Sequence, residues 1–219
     1  MSIYYGEAQR ALQAQFGTTR MADRIEQLAS HNEFNDDAKS FIEHCEMFFL
    51  TSTNDKGQPT VSYKGGDVGF VKVLDSSTLI FPSYDGNGMF LSMGNIAANA
   101  NIGMLFISFE MPHRIRVQGT ASISQDATLI AHYKEADFVV TVKLEELWQN
   151  CPRYIPKYEK VRNSRYVPSA DCETPLAEWK RVDLLQDVLP PADLVKAKAA
   201  GTIDIMEWVG KIQAGADDA

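Results

Sequence analysis

The chain has 219 residues, of which 45% are hydrophobic and 23% charged, as in an ordinary globular protein, and its net charge is −8. The acidic balance argues against general nucleic-acid binding, which needs a basic face, and against docking on an anionic membrane. No apolar run reaches transmembrane length, the N-terminus lacks a signal-peptide core, and three widely spaced cysteines predict no disulfide framework, so we expect a reduced, cytoplasmic protein.

The first part of the chain is predicted to be helical. Residues 1–34 are expected to form a helical arm, in which Thr19 caps a helix over residues 20–29. Asn35 is expected to cap a second helix over residues 36–45, where acidic residues in the first turn suit the helix dipole.

From Met47 onward the hydrophobic pattern changes to the alternation of β-strands. The predicted strands cover residues 47–53, 59–64, 69–74, 78–84, 102–109, 113–124 and 138–144. Short helices are predicted over residues 89–99 and from Asp126 to about Tyr133. Because most of these strands are linked by short turns, we expect an antiparallel, mainly β fold with peripheral helices, closer to a small barrel than to a layered α/β fold.

The periodic pattern ends after Trp148. Prolines then punctuate a segment that is expected to wrap over the surface, followed by helices over residues 192–200 and 203–212 and a disordered tail. The predicted organisation is a helical arm over residues 1–34, a barrel domain over 35–160 and a C-terminal wrapping extension with helices over 161–219.

A strand–turn–helix–strand unit at residues 80–107 is the most informative part of the sequence. Its turn, Asp85-Gly86-Asn87-Gly88, stands directly before the predicted helix, whose first amide groups suit an anion such as phosphate. Lys64 is the only cation on its strand and shares a face with Ser62. Arg114 and Arg116 are two residues apart on another strand, so they also share a face. Convergence of these groups on the helix start would form a phosphate site.

Each of these residues also has a structural interpretation. Lys64 would be a solvated charge on an edge strand, and the two arginines would lie on the wet face of theirs. Phe81 and Met89 would be core residues in any fold. The four histidines are scattered without metal-ligand spacing, so no metal site is predicted.

Residues 40–160 resemble the pyridoxamine 5'-phosphate oxidase-related split-barrel family. The segments that carry this resemblance are 59–66, 69–71, 80–107, 114–121 and 150–155. The resemblance implies an antiparallel split β-barrel, a homodimer with FMN at the subunit interface, and an FMN-binding oxidoreductase that acts on a small molecule or a nicotinamide donor. The flavin would supply the redox chemistry, so no catalytic side chain is predicted.

The resemblance also implies a set of flavin contacts: Ser62, Tyr63, Lys64, Gly65, Phe81, Pro82, Ser83, Asn87, Gly88, Met89, Arg114 and Arg116. Arg153, with Tyr154, would reach the flavin of the opposite subunit. Asn87-Gly88 replaces the basic pair that many relatives carry in this turn, so fewer charges would hold the phosphate.

The reaction is less constrained than the fold. The C-terminal Arg/Trp signature of genuine pyridoxamine-phosphate oxidases is not reproduced at residues 178–190, so pyridoxamine phosphate is not predicted as the substrate. The alternatives are a non-catalytic protein that binds flavin, haem or deazaflavin on the same barrel, and a structural dimer that has lost its ligand.

Overall fold

The computed structural model describes residues 4–169 and 172–219. The chain forms two compact units, one ending at Glu159 and the other beginning at Lys160. The first unit contains all eight strands. Its helices are α1 (Glu7–Gln15), α2 (Thr19–Ala29), α3 (Asp36–His44), α4 (Leu91–Ala98) and α5 (Ala127–Ile130). Its strands are β1 (Ser30–His31), β2 (Met47–Thr53), β3 (Pro59–Gly65), β4 (Lys72–Asp75), β5 (Thr78–Ser83), β6 (Asn101–Ser108), β7 (His113–Ser124) and β8 (Phe138–Asn150).

The eight strands form one sheet with the order β3-β2-β6-β7-β8-β5-β4, and β1 pairs with β8 outside this path. Each of the seven pairings between these strands is antiparallel. The sheet is not closed, because β3 and β4 remain its two ends. The prediction of a mainly β, antiparallel split barrel with peripheral helices is confirmed.

The core lies on the concave face of the curled sheet. Phe48 on β2 packs against Phe81 on β5 and Phe106 on β6, with ring centroids 5.0 and 5.1 Å apart. All three rings are fully buried. Since β2 and β5 are not neighbours in the sheet, this contact requires the sheet to curl until its inner faces meet.

The predicted helix caps agree with the structure in part. Asn35 caps α3, since its Oδ1 accepts a hydrogen bond from the Ala38 amide at 2.8 Å. Asp126 caps α5 in the same way through Thr128, although α5 is shorter than predicted. Thr19 is not a cap but the first residue of α2, which begins one residue earlier than predicted.

The second unit contains helices α6 (Pro191–Ala200) and α7 (Ile205–Gln213), preceded by two short 3-10 helices. The prediction of a disordered tail is wrong. Lys211 Nζ binds the Asp218 carboxylate at 2.8 Å, and Tyr166 Oη donates to the Asp218 carbonyl at 3.0 Å. Two side chains from elsewhere in the unit therefore hold the C-terminal residues in place.

None of the helices in residues 4–169 and 172–219 has the length and apolar character needed to cross a membrane. Within the same residues, no three His, Cys, Asp or Glu side chains are grouped so that they could hold a metal ion.

Candidate functional site

Strand β3 places Ser62 and Lys64 on the same face of the sheet as the core. Lys64 lies directly opposite Phe48, and Phe48 lies opposite Phe106. Directly opposed residues of an antiparallel sheet share a face, so Lys64 is on the side that carries the buried rings. Ser62, two residues earlier, shares that side. The alternation of the sequence predicts this common face.

Lys64 is a partly buried cation. Burial lowers the pKa of its ammonium group, because removal from water disfavours the charged form. Lys64 makes no ion pair or side-chain hydrogen bond with any residue in the described part of the chain. An anion bound beside it would offset this desolvation cost. The solvated-edge interpretation of Lys64 does not fit this environment.

Hydrogen bonds between hydroxyl and amide groups join helix α4 to β3, the strand that contains Lys64, and to its neighbour β2. Ser92 Oγ donates to Ser62 Oγ at 2.9 Å. One turn along, Asn95 Nδ2 donates to Ser52 Oγ at 3.0 Å and to Thr60 Oγ1 at 3.2 Å. The first turn of α4 therefore lies next to Ser62, which is about 7 Å along β3 from Lys64.

The start of α4 differs from the prediction. The helix begins at Leu91 rather than at Met89, after Phe90 adopts a left-handed conformation with φ of 48°. Its first backbone bond runs from the Gly94 amide to the Phe90 carbonyl at 2.6 Å. The amides of residues 91–93 precede that bond and have no helical acceptor, as is general for a first turn. These N–H groups can bind an anion.

The loop before α4 is held by its own residues. Asn87 Oδ1 accepts a hydrogen bond from the Met89 amide at 3.1 Å, so that amide is already used. Gly88 has φ of +72°, a conformation that favours glycine. Met89 is 62% exposed, which excludes the interpretation of this residue as part of the core.

The three flavin contacts predicted on β5, Phe81, Pro82 and Ser83, differ in how deeply they are buried. The Phe81 ring is fully buried against Phe48. Phe81 is therefore a core residue and does not line a ligand site. Pro82 is also buried. Ser83 is half-buried, and its carbonyl accepts a hydrogen bond from the Asp137 amide at 3.0 Å. Of the three, Ser83 has the most accessible side chain.

Tyr63 and Gly65 complete the predicted contacts on β3. Tyr63 points away from the core, is 63% exposed and lies 6.3 Å from the Phe49 ring. Its phenol end folds over Gly65, where an added Cβ would come within 2.6 Å of Tyr63 Oη. Gly65 therefore gives Tyr63 room to lie along the edge strand.

The two arginines of β7 do not join Lys64 within this chain. Ile115 lies opposite Phe106 and faces the core, so its neighbours Arg114 and Arg116 alternate to the other face of the sheet. There the Arg116 guanidinium lies 5.8 Å from the Trp148 ring. The prediction that Lys64 of β3 and the two arginines of β7 converge on one phosphate is therefore wrong for a single subunit. The sequence shows that the two arginines share a face, but not which face that is.

Arg153 lies in the loop after β8 and pairs with its neighbour. Its Nη2 donates to Tyr154 Oη at 2.8 Å, and its guanidinium lies 4.8 Å from the Tyr154 ring. Tyr154 is 88% exposed and has φ of 73°. None of the described contacts joins this pair to the other predicted site residues.

Ser92 and Asn95 are functional candidates that the sequence reasoning missed. Polar residues three apart in a short apolar helix lie on one face, and that spacing was visible at positions 92 and 95. Their acceptors could not be predicted, because Ser62, the acceptor of Ser92, and Ser52 and Thr60, the acceptors of Asn95, are 30 or more residues away along the chain.

The position of α4 is expected to depend on Asn95. Replacing Asn95 with alanine removes both hydrogen bonds of its amide, and we expect a loss of about 1–3 kcal/mol of stability. Amide hydrogen exchange within α4 should accelerate more than exchange within β7. Asn101→Ala is the matched control, since Asn101 is exposed at the start of β6. Equal exchange rates in the two variants would contradict a positioning role for Asn95.

The chain is similar to several solved structures over half or more of its length. HupZ from Group A Streptococcus is 17% identical, with a TM-score of 0.44, over 57% of this chain and 99% of that chain. General Stress Protein 26 from Bacillus anthracis is 17% identical, with a TM-score of 0.39, over 50% of this chain and 88% of that chain. An FMN-binding protein from Syntrophomonas wolfei is 11% identical, with a TM-score of 0.39, over 64% of this chain and 97% of that chain.

The sequence comparison is more decisive. No curated protein matches the chain. A family profile does match, and its description is pyridoxamine 5'-phosphate oxidase. The match covers residues 34–150, from just before α3 to the end of β8, and so includes Lys64, α4 and both arginines of β7. Since this segment is more than half of the chain and contains the whole antiparallel path β2 to β8, the chain belongs to the pyridoxamine 5'-phosphate oxidase family.

Proposed function

We propose that the protein binds FMN and works as an FMN-dependent oxidoreductase. The observation that carries this proposal is the partly buried, unneutralised Lys64 close to the start of α4. A cation, two hydroxyls and free helix amides together suit a phosphate dianion. The flavin would supply the electron transfer, and the protein would bind and orient it.

The remaining predicted contacts have different parts in this proposal. Ser62 and Lys64 face the phosphate side, and Ser83 and the loop residues Asn87, Gly88 and Met89 line its surroundings. Tyr63 and Gly65 lie on the opposite face of the same strand. Phe81 and Pro82 support the site from the core. The proposal gives Arg114, Arg116 and Arg153 no flavin contact within the same subunit.

We further propose a homodimer with FMN at its interface. Apolar side chains are exposed on both sides of the edge strand β3: Val61 and Tyr63 on the face away from the core, and Phe90 and Leu91 at the start of α4, which lies on the core side. Exposed apolar side chains around an edge strand mark an interaction surface. A second subunit that covers it would exclude water from the flavin ring, in keeping with a small-molecule substrate or nicotinamide donor.

Pyridoxamine 5'-phosphate is not proposed as the substrate. That substrate needs a cationic pocket for a second phosphate. The basic residues of segment 178–190 are already used inside the C-terminal unit. Lys180 is buried against Asp193 at 2.8 Å, and Arg181 binds Glu178 at 2.7 Å.

The proposal is tested on the purified full-length chain. We expect a flavin absorbance spectrum after addition of FMN, tighter binding of FMN than of FAD in a fluorescence titration, and bleaching by NADH or NADPH without oxygen. Preference for FAD would contradict the phosphate site. Bound flavin that no donor reduces would leave the non-catalytic binding protein as the function.

Lys64 provides a sharper test of the site. Lys64→Ala is expected to weaken FMN binding by about 1.5–3 kcal/mol, the range for a charge-assisted hydrogen bond. The matched control is Lys56→Ala, which removes an exposed lysine from the turn that precedes the same strand. Fluorescence titration should show an unchanged dissociation constant for the control. If Lys64→Ala and Lys56→Ala had the same dissociation constant for FMN, Lys64 would have no part in FMN binding.

A further inference from the structure

A cavity of about 390 Å³ lies on the opposite face of the sheet from Lys64. The N-terminal arm forms one side of it, with Tyr4 and Glu26, and the outer face of β7 and β8 forms the other, with Arg116, Trp148 and Asn150. This volume is in the range of small-molecule sites. The proposed flavin site uses none of these residues.

One wall of the cavity is aromatic. The Tyr4 and Trp148 rings have centroids 5.1 Å apart and planes inclined by 54°. The Arg116 guanidinium lies 5.8 Å from the Trp148 ring centroid. Aromatic faces that flank a cation suit a planar ring bearing a negative charge.

The charges at the cavity limit the ligand to one negative group. Arg116 is the one basic residue among the described lining residues, and it has no ion pair with the described part of the chain. Glu26 on the arm lines the cavity and brings a negative charge to it. Burial raises the pKa of Tyr4, and the carboxylates of Glu146 on β8 and of Glu26 add to this effect. A phosphate dianion would be repelled there, whereas a carboxylate held by Arg116 carries a single charge.

Asn150 offers the ligand a second polar contact, a hydrogen-bond acceptor. Its Oδ1 is buried and has no hydrogen-bond donor in the described structure. Asn150 is two residues beyond Trp148 on β8, so both side chains lie on one face, about 7 Å apart. Because an unmet buried acceptor is costly, a ligand with an N–H or O–H group at this position would be favoured.

We propose that this cavity binds a planar aromatic monocarboxylate with a hydroxyl or amino group at the far end of its ring. The carboxylate pairs with Arg116, the ring lies against Trp148, and the donor group bonds to Asn150 Oδ1. This inference is independent of the flavin proposal, since the two sites lie on opposite faces of the sheet.

The test is isothermal titration of the full-length protein with 4-hydroxybenzoate, whose carboxylate and hydroxyl lie at opposite ends of one ring. We expect saturable binding that Arg116→Gln weakens about ten-fold or more. Arg24→Gln removes an exposed arginine of α2 outside the cavity and should leave binding unchanged. The absence of saturable binding, or equal affinities for the two variants, would overturn the proposal.

The hydroxyl contact is tested separately. Wild-type protein is expected to prefer 4-hydroxybenzoate over benzoate about five-fold, and Asn150→Ala should abolish this preference while still binding both. A preference that survives in Asn150→Ala would exclude the assigned contact. The titrations are repeated with FMN present, and unchanged affinity supports two separate sites. Displacement of 4-hydroxybenzoate by FMN would show instead that the cavity belongs to a flavin site.

Discussion

Gly119→Ala is expected to destabilise the barrel by about 3 kcal/mol or more, since overpacking against backbone cannot be relieved by rotating a side chain. Gly119 lies on β7 at an irregularity in its pairing with β8. A Cβ added there would overlap the carbonyl oxygen of Lys143, a backbone atom of the neighbouring strand. The two central strands would have to separate to accommodate it.

Gly103→Ala is the matched control for this prediction. Gly103 lies on β6, next to β7, and a Cβ added there would meet Thr51 Cβ at an ordinary 3.8 Å. We expect its effect to stay within about 1 kcal/mol, the span of strand propensities. Urea denaturation can be followed through Trp148, the one tryptophan of the first unit, after Trp179 and Trp208 are replaced by phenylalanine. Equal midpoints for the two alanine variants would show that the strands tolerate the added carbon.

The irregularity at Gly119 also explains a boundary that the sequence misplaced. The pattern predicts a strand that ends at residue 144, but β8 continues to Asn150. Gly119 pairs with Leu144 and Gln118 with Glu146, so Glu145 is an extra residue in β8. An extra residue reverses which positions of the strand face the core. The hydrophobic alternation of β8 is therefore interrupted at Glu145 by a bulge, and the strand does not end there.

The sequence predicts which residues of the candidate site share a face of one strand, but not how residues of different strands lie relative to one another. The strand period correctly places Ser62 beside Lys64, because that relation is local. The face on which Arg116 lies depends on the register of three strand pairings, from β3 through β2 and β6 to β7, which no local pattern encodes. The start of α4 was misplaced because the left-handed conformation of Phe90 is unusual for a phenylalanine.

The C-terminal unit is expected to depend on a buried ion pair. Lys180 has only 2% of its side chain exposed, and its Nζ binds the Asp193 carboxylate at 2.8 Å. Asp193→Ala removes a carboxylate that offsets the desolvation of the buried ammonium group. The variant is therefore expected to cost about 1.5–3 kcal/mol of the stability of this unit, the range for a hydrogen bond to a charged group.

Two comparisons separate this effect from a general loss of negative charge. Asp187→Ala removes an exposed carboxylate from the same unit and should change stability by no more than about 0.5 kcal/mol. The double variant Lys180→Met, Asp193→Leu replaces both side chains with apolar ones, and it should recover much of the stability that Asp193→Ala loses, because the buried ammonium group is removed together with this carboxylate. Urea denaturation read through Trp179 and Trp208, both in this unit, measures all three variants. If the double variant were no more stable than Asp193→Ala, the loss would come from packing around residue 193 and not from the lost contact with the Lys180 ammonium group.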